Sequence, residues 1–148
     1  MKKKLRITLA VALGGLPFVA GGIQNWYMLS YMDSLLPYSL ISIFLLLAWG
    51  CIAFILKGNH QKTKDIVISL NLIAMLDLFL LAIQELILHA YWMNSIGAWS
   101  QLFYLPLVNL GFTLTNWSHN VFSAYAVSFA LMFLASLAGC KLREKVMK

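Results

Sequence analysis

Long apolar runs separate three clusters of basic residues, and this alternation constrains the fold more than any other feature of the chain. All 11 Lys and Arg residues lie within Lys2 to Arg6, Lys57 to Lys64 or Lys141 to Lys148. Hydrophobic residues make up 61% of the 148 residues and charged residues 11%, against about 45–50% and about 25% in soluble domains. This composition excludes a soluble domain and a disordered chain. It predicts a polytopic membrane protein.

Four segments are apolar enough to cross a bilayer as helices, which takes about 20 residues each. They cover about residues 7–26, 38–56, 66–91 and 121–140. A cleaved signal peptide is the alternative for the first segment. Its apolar run is too long for one, and Gly14 to Pro17 interrupt it without a clear cleavage site. We therefore predict an all-α fold in which residues 1–148 form one four-transmembrane-helix bundle.

The positions of the basic residues predict the orientation of these spans. With four spans, all three basic clusters fall on one side of the membrane, as the positive-inside rule describes for the cytoplasmic side. We expect an integral protein of a bacterial plasma membrane with both termini in the cytoplasm. A nucleic-acid partner is not expected, because such a surface interleaves basic and polar residues on a folded face. The expected partner is the lipid bilayer.

Residues 97–117, between the third and fourth spans, form an apolar stretch long enough to be a fifth helix. A fifth span would move the basic C-terminal cluster outside, against the charge rule. Pro106 and Asn109 also weaken it as a span. We therefore predict an interfacial or re-entrant segment. Its aromatic residues are either a membrane anchor or a binding surface, with four candidates in and beside the segment: Trp92, Trp99, Tyr104 and Trp117.

The predicted third span carries the polar residues that need an explanation, which are Asn71, Asp77, Gln84, Glu85 and His89. On a continuous helix they cover roughly 140°, a broad stripe that faces protein rather than lipid. Asp77 lies ~16 Å into the span, near the bilayer midplane. Glu85 lies ~28 Å in, where His89 one turn later can pair with it. These five residues are our candidates for binding a ligand, an ion or a proton.

Asp77 is the most unusual of the five. A carboxylate at the midplane costs at least about 2.5–3.5 kcal/mol, and none of the predicted spans contains Lys or Arg to offset it. It could relay protons or bind a cation, or pair with a basic residue in a partner's membrane helix. It could also be a neutral acid that packs the bundle through hydrogen bonds to Asn71, Gln84 or Ser128.

Motifs for enzymatic chemistry are scarce, and we lean against an enzyme. The sequence has no Gly-x-Ser-x-Gly motif and no glycine-rich phosphate loop. We predict no cofactor and no metal, with Glu85, His89 and His119 as weak metal candidates because His and Glu suit zinc. Cys51 and Cys140 are expected to be reduced packing residues near the cytoplasmic helix ends.

Two functions from different classes follow. The first is a non-enzymatic accessory, regulatory or immunity-type protein that acts through helix–helix contacts with another membrane protein. In the first span, Ala10, Gly14 and Gly21 would either pack within the bundle or form a groove for such a partner. The alternative is a small oligomeric transporter or channel, a homo-oligomer that uses Asp77 and Glu85 to handle protons, cations or a cationic substrate.

Overall fold

Helices account for all the regular structure in residues 3–31, 36–58, 61–92, 94–118 and 120–147, which the computed structural model describes. They are α1 (Lys3–Leu13), α2 (Leu16–Ser30), α3 (Tyr38–Leu56), α4 (Thr63–Leu70), α5 (Leu72–Ala82), a π-helical turn (Ile83–Ile87), α6 (Ser95–Leu114) and α7 (Val121–Val146). The all-α prediction is confirmed. Three segments, Lys4–Ser30, Tyr38–Leu56 and Val121–Val146, are long and apolar enough to cross a membrane, and α4 with α5 makes a fourth if that bent pair is one span.

The first span is broken between α1 and α2. Gly14 and Gly15 form the break, and Pro17 lies in the first turn of α2. Proline has no N–H to donate to the preceding turn, and its ring collides with the carbonyl four residues earlier. It is tolerated in the first turn of a helix, where that N–H has no partner. The proline therefore lies at the start of a new helix, and the two helices together still form one segment of 27 residues, Lys4–Ser30, long enough to span.

The third span differs from the predicted straight helix of residues 66–91. It bends by 48° between α4 and α5, and its last helical turn ends at Ile87. Asn71 sits at the bend, where its amide donates to the Val67 carbonyl and the Ser136 hydroxyl, both at 2.8 Å. The bend and the π-helical turn change the angle between successive side chains. Asn71, Asp77 and Gln84 are nevertheless buried and Glu85 is half-buried, whereas His89 is exposed beyond the end of the helix.

Contacts between α4–α5 and α7 define two ends of the bundle. Thr63 bonds to Glu144 at one end, Asn71 to Ser136 further along, and Glu85 to the backbone N–H of Phe122 at the other. The first end also holds Arg6, which donates to the Leu56 carbonyl at 3.1 Å. We name it the basic end. The helices α4 and α5 thus run antiparallel to α7 over its whole length.

Helix α6 is continuous through Pro106 and packs inside the bundle. It contacts α2, α3, α5 and α7, and Phe103, Tyr104 and Leu107 are completely buried. The Leu102 carbonyl, which would accept from the N–H that Pro106 lacks, lies directly against Gly21 of α2. A side chain at Gly21 would overlap that carbonyl. The close contact between α2 and α6 therefore requires glycine.

Contacts with the π-helical turn and with α7 position the two halves of α6. Near its start, Ser100 bonds to Gln84 of the π-helical turn. Near its finish, Gly111 packs against Ala124 in the first turn of α7. Because Glu85 contacts Phe122, Gln84 and Ala124 are at similar levels. Trp99 and Tyr104, in the first half of the helix, contact Phe18 of α2 and the Ala74 carbonyl of α5, so α6 touches the bundle at more than one level.

The small residues of the first span pack within this chain. Ala10 is buried in the core, Gly14 lies against the Leu70 carbonyl, and Gly21 lies against α6. Of the two expectations for these residues, the structure agrees with intrachain packing. Gly22 differs, because a Cβ added to it would meet no atom within 4 Å among the described residues.

Candidate functional site

Asp77 lies in the middle of α5 and is buried inside the bundle. Its side chain is 5% exposed, and its Oδ2 atom has no hydrogen-bond partner among the described residues. Leaving a buried polar atom unpaired costs about 1–3 kcal/mol, and more if it is charged. The burial of Asp77 is therefore unfavourable for the stability of the fold.

The three residues expected to hold Asp77 form their bonds elsewhere. The Gln84 amide donates to the Ser100 hydroxyl at 3.2 Å and accepts from the backbone N–H of Trp92 at 3.0 Å. The Ser128 hydroxyl lies within hydrogen-bond distance of the Leu107 and Ala124 carbonyls. Asn71 accepts from the Trp49 indole at 3.2 Å and donates to α4 and α7. Gln84 and Asn71 thus brace helices, and the expected hydrogen bonds to Asp77 are not formed.

Two buried tyrosines lie near Asp77. Tyr104 of α6 donates its hydroxyl to the Ala74 carbonyl at 2.6 Å, one turn of α5 before Asp77. Tyr125 of α7 lies beside Tyr104, with 5.8 Å between the ring centroids. Asp77 interacts electrostatically with both tyrosines, and Glu85 interacts with Tyr125. We name Asp77, Tyr104, Tyr125 and Glu85 the acid–tyrosine cluster.

Tyr125 is absent from the residues singled out by sequence, although a signal for it exists. Most Trp and Tyr residues fall near the predicted ends of spans, where amphipathic rings prefer to sit. Tyr125 lies inside the fourth predicted span, where a buried hydroxyl needs a polar neighbour. Its position alone marks it as a residue facing other protein groups.

Glu85 has different partners from the one predicted. Its carboxylate accepts from the Tyr91 hydroxyl and from the Phe122 backbone N–H, the latter at 2.9 Å. Desolvation and the hydrogen bond to Glu85 raise the pKa of Tyr91, so this hydroxyl keeps its proton at neutral pH. His89 lies beyond the end of the helix, exposed and with a φ of 49°. The helical spacing assumed for a Glu85–His89 pair is therefore lost.

The residues considered for metal binding do not assemble in the described part of the chain. No group of three or more His, Cys, Asp or Glu side chains there could hold a metal ion. His119 lies outside the described residues. The weak metal candidate of Glu85, His89 and His119 therefore stays a prediction.

The four aromatic candidates do not share one surface. Tyr104 is completely buried, whereas Trp99 and Trp117 are 56% and 76% exposed. Trp99 packs edge-on against Phe18 of α2, at 5.5 Å between ring centroids. Trp92 is half-buried and contacts Gln84 through its backbone. The structure therefore divides these residues between the core, where Tyr104 joins the acid–tyrosine cluster, and the exposed surface.

The acid–tyrosine cluster contains two acids at different depths along one helix and two tyrosines from other helices. Asp77 and Glu85 are eight residues apart, or ~12 Å along the helix axis. Hydroxyls both donate and accept hydrogen bonds, and carboxyls accept when ionised and can donate when neutral. These groups can therefore hold a proton or provide oxygens to a cation. Comparisons with protein-family models, with curated proteins and with solved structures found no match to this chain.

Proposed function

We propose that this chain is a small membrane transporter or channel in which Asp77 takes up a proton or a cation inside the bilayer. One observation carries the proposal: the buried Asp77 carboxyl has an oxygen without a partner among the described residues, and the Tyr104 hydroxyl bonds to the α5 backbone one turn away. Ionisable residues within membrane spans mark ion and proton pathways. A carboxylate that paired with a partner's helix would instead need access to the lipid-facing surface.

The proposed membrane arrangement has four spans. They are α1 with α2, α3, α4 with α5 and the π-helical turn, and α7. In this arrangement α6 is a re-entrant segment, because it is not among the helices apolar enough to span and a fifth span would move the basic C-terminal cluster to the other side. Irregular or non-spanning segments are tolerated at membrane depth where they are buried in protein. The basic end would face the cytoplasm, as its lysines favour.

Glu85 would be the entry point from the opposite side. It is half-buried at the end of α5, whereas Asp77 lies deeper, and Tyr125 interacts with both. An ion or proton leaving Glu85 would therefore meet the Tyr125 hydroxyl before it reaches Asp77. This order of groups supports a role for the whole cluster rather than for Asp77 alone.

The accessory function is a second candidate, and one surface favours it. Four side chains along one side of α2 are largely exposed, and Gly22 lies on the same helix with open space beside it. They are Val19, Ile23, Trp26 and Leu29. A helix of another membrane protein could approach closely at such a glycine.

Ion flux into liposomes tests the main proposal. The purified protein is reconstituted with a trapped pH-sensitive dye, and a valinomycin-driven potassium potential drives protons inward. We expect flux above that of protein-free liposomes, and we expect Asp77→Asn to reduce it to that background, because Asn keeps the size of Asp and cannot ionise. The matched control is Asp65→Asn, which changes an acid in the first turn of α4 outside the cluster.

Transport of a metal cation is measured in the same liposomes, with a sodium or potassium gradient and a trapped cation-sensitive dye. Absence of flux for protons, sodium and potassium in the wild-type protein would contradict the transport function. Equal flux in the wild type and Asp77→Asn would contradict the role of Asp77. Helix content and size-exclusion behaviour of each variant show that the fold is kept.

A further inference from the structure

An apolar groove of about 790 Å³ runs between α3 and α7 on the outside of the bundle. Small residues line its floor, since Gly50 and Gly139 bring the two helices so close that a Cβ at Gly139 would overlap the Gly50 carbonyl. Ala135 and Ala138 extend this floor along α7. Larger apolar side chains form the walls: Ile43, Leu46, Leu47, Phe54 and Leu142. We name this feature the α3–α7 groove.

The length of the groove matches one leaflet of a bilayer. It extends along α3 from Ile43 to Phe54, which is ~16 Å at the rise of an α-helix. The hydrocarbon core of a bilayer is about 30 Å thick, so one leaflet contributes about 15 Å. An acyl chain in the groove would therefore reach from the basic end to the middle of the membrane.

Positive charge is concentrated where the groove meets the basic end. Lys141 and Lys145 line it there, and the Arg143 guanidinium lies 5.0 Å from the centre of the Phe54 ring. Among the described residues, the Arg143 Nε atom has no hydrogen-bond partner. Glu144, the acid beside these lysines on α7, already pairs with Lys57 at 3.5 Å and Lys141 at 3.3 Å. The mouth of the groove therefore has an excess of positive charge.

We infer that the α3–α7 groove binds an anionic phospholipid, with an acyl chain along the small-residue floor and the phosphate against Lys141 and Lys145. The lysines lie at the level of lipid headgroups if the groove spans one leaflet. A parallel second copy would bring its own basic end against these lysines, and that like-charge contact is unfavourable. An anionic headgroup complements the positive charge that Glu144 does not neutralise. The inference is independent of the function proposed for Asp77.

Spin-labelled lipids test the headgroup preference in reconstituted membranes. The measurement is the ratio of the association constants of phosphatidylglycerol and phosphatidylcholine, from the motionally restricted component of the spectrum. Each lysine near an anionic surface favours it about fivefold. We expect the double variant Lys141→Gln/Lys145→Gln to lower the ratio by about fivefold or more. The matched control Lys62→Gln/Lys64→Gln removes two exposed lysines that do not line the groove and should leave the ratio unchanged. An equal loss in both double variants would overturn the proposal.

A second variant tests the acyl chain without changing any charge. Ala138 is exposed at the groove floor, so Ala138→Trp fills the groove without entering the core. We expect it to release the restricted phosphatidylglycerol while helix content is unchanged. Full retention of the restricted lipid would overturn the proposal, and so would its displacement by excess inorganic phosphate.

The exposed Cys51 in the groove reports on the competing occupant. Oxidation with copper phenanthroline should leave the protein uncrosslinked in membranes that contain phosphatidylglycerol. Efficient Cys51–Cys51 crosslinking there would place a second copy in the groove and overturn the lipid assignment.

Discussion

Two carboxylates in this protein occupy contrasting surroundings. At the basic end, Glu144 accepts from the Thr63 hydroxyl and pairs with Lys57 and Lys141. In the middle of the bundle, Asp77 is more deeply buried, and one of its oxygens has no partner among the described residues. The acid nearest to solvent is thus the better satisfied of the two.

The difference separates a structural role from a functional one. The groups around Glu144 join α3, α4 and α7, and Lys57 also donates to the Gln61 and Gly58 carbonyls at 2.7 and 3.2 Å. Removing one member leaves the others unpaired, so this network stabilises the fold. The unpaired oxygen of Asp77 makes no hydrogen bond among the described residues, so removing it breaks no stabilising contact. Substitutions around Glu144 should therefore lower the free energy of unfolding, whereas substitution of Asp77 should reduce ion flux without lowering it.

The largest stability effect is expected at Lys57. Lys57→Met keeps most of the buried aliphatic chain but removes the ammonium from two carbonyls and from Glu144. Breaking a buried pair costs about 3–5 kcal/mol; since Glu144 is one-third exposed, we expect about 2 kcal/mol. The measurement is unfolding in mixed micelles followed by circular dichroism. Lys64→Met, at an exposed position, is the control and should change stability by less than about 0.5 kcal/mol.

A smaller effect of opposite sign is expected at Asp77. Asp77→Leu replaces the unpaired buried carboxyl with an apolar side chain of similar size, so the free energy of unfolding should rise by about 1 kcal/mol. Ion flux should be lost in the same variant. Destabilisation comparable to that of Lys57→Met would show that Asp77 is a structural residue and would remove the contrast.

The smallest stability effect is expected for Tyr125→Phe. It deletes one hydroxyl and keeps the ring that packs against Tyr104, so stability should change by less than about 1 kcal/mol. If the hydroxyl connects Glu85 with Asp77, flux should fall at least tenfold. Val121→Ala, a small change in the same helix outside the cluster, provides the comparison. Unchanged flux in Tyr125→Phe would show that Asp77 is reached by another route.

The sequence predicts those features that depend on local composition. Long apolar runs predict membrane helices because a span needs about 20 such residues, and the helices follow these runs. Asp77 and Gln84 are also buried, as polar residues on a protein-facing side would be. These predictions need only the amino acids of one segment.

Features that depend on two or more segments could not be predicted in the same way. The bend at Asn71 is supported by Trp49 and Ser136 from other helices. Tyr125 approaches Asp77 because α7 packs against α5, which spacing along the chain does not encode. Helix α6 is not among the helices apolar enough to span, yet one side of it is buried because it packs against four other helices. Lys57 belongs to a basic cluster in the sequence and is almost completely buried in the structure.

The π-helical turn at the end of α5 makes the site sensitive to chain length. The Leu88 N–H donates to the Ile83 carbonyl, five residues earlier, at 3.0 Å. This wider turn lets the consecutive residues Gln84 and Glu85 reach different helices, α6 and α7 respectively. Loss of one residue ahead of Glu85 in this turn would restore α-helical geometry and move Glu85 by about 100° round the helix axis, to where Gln84 now lies. Insertions and deletions should therefore be tolerated much less well at this turn than substitutions, because one missing residue would detach Glu85 from α7 while every side chain of the cluster was still present in the chain.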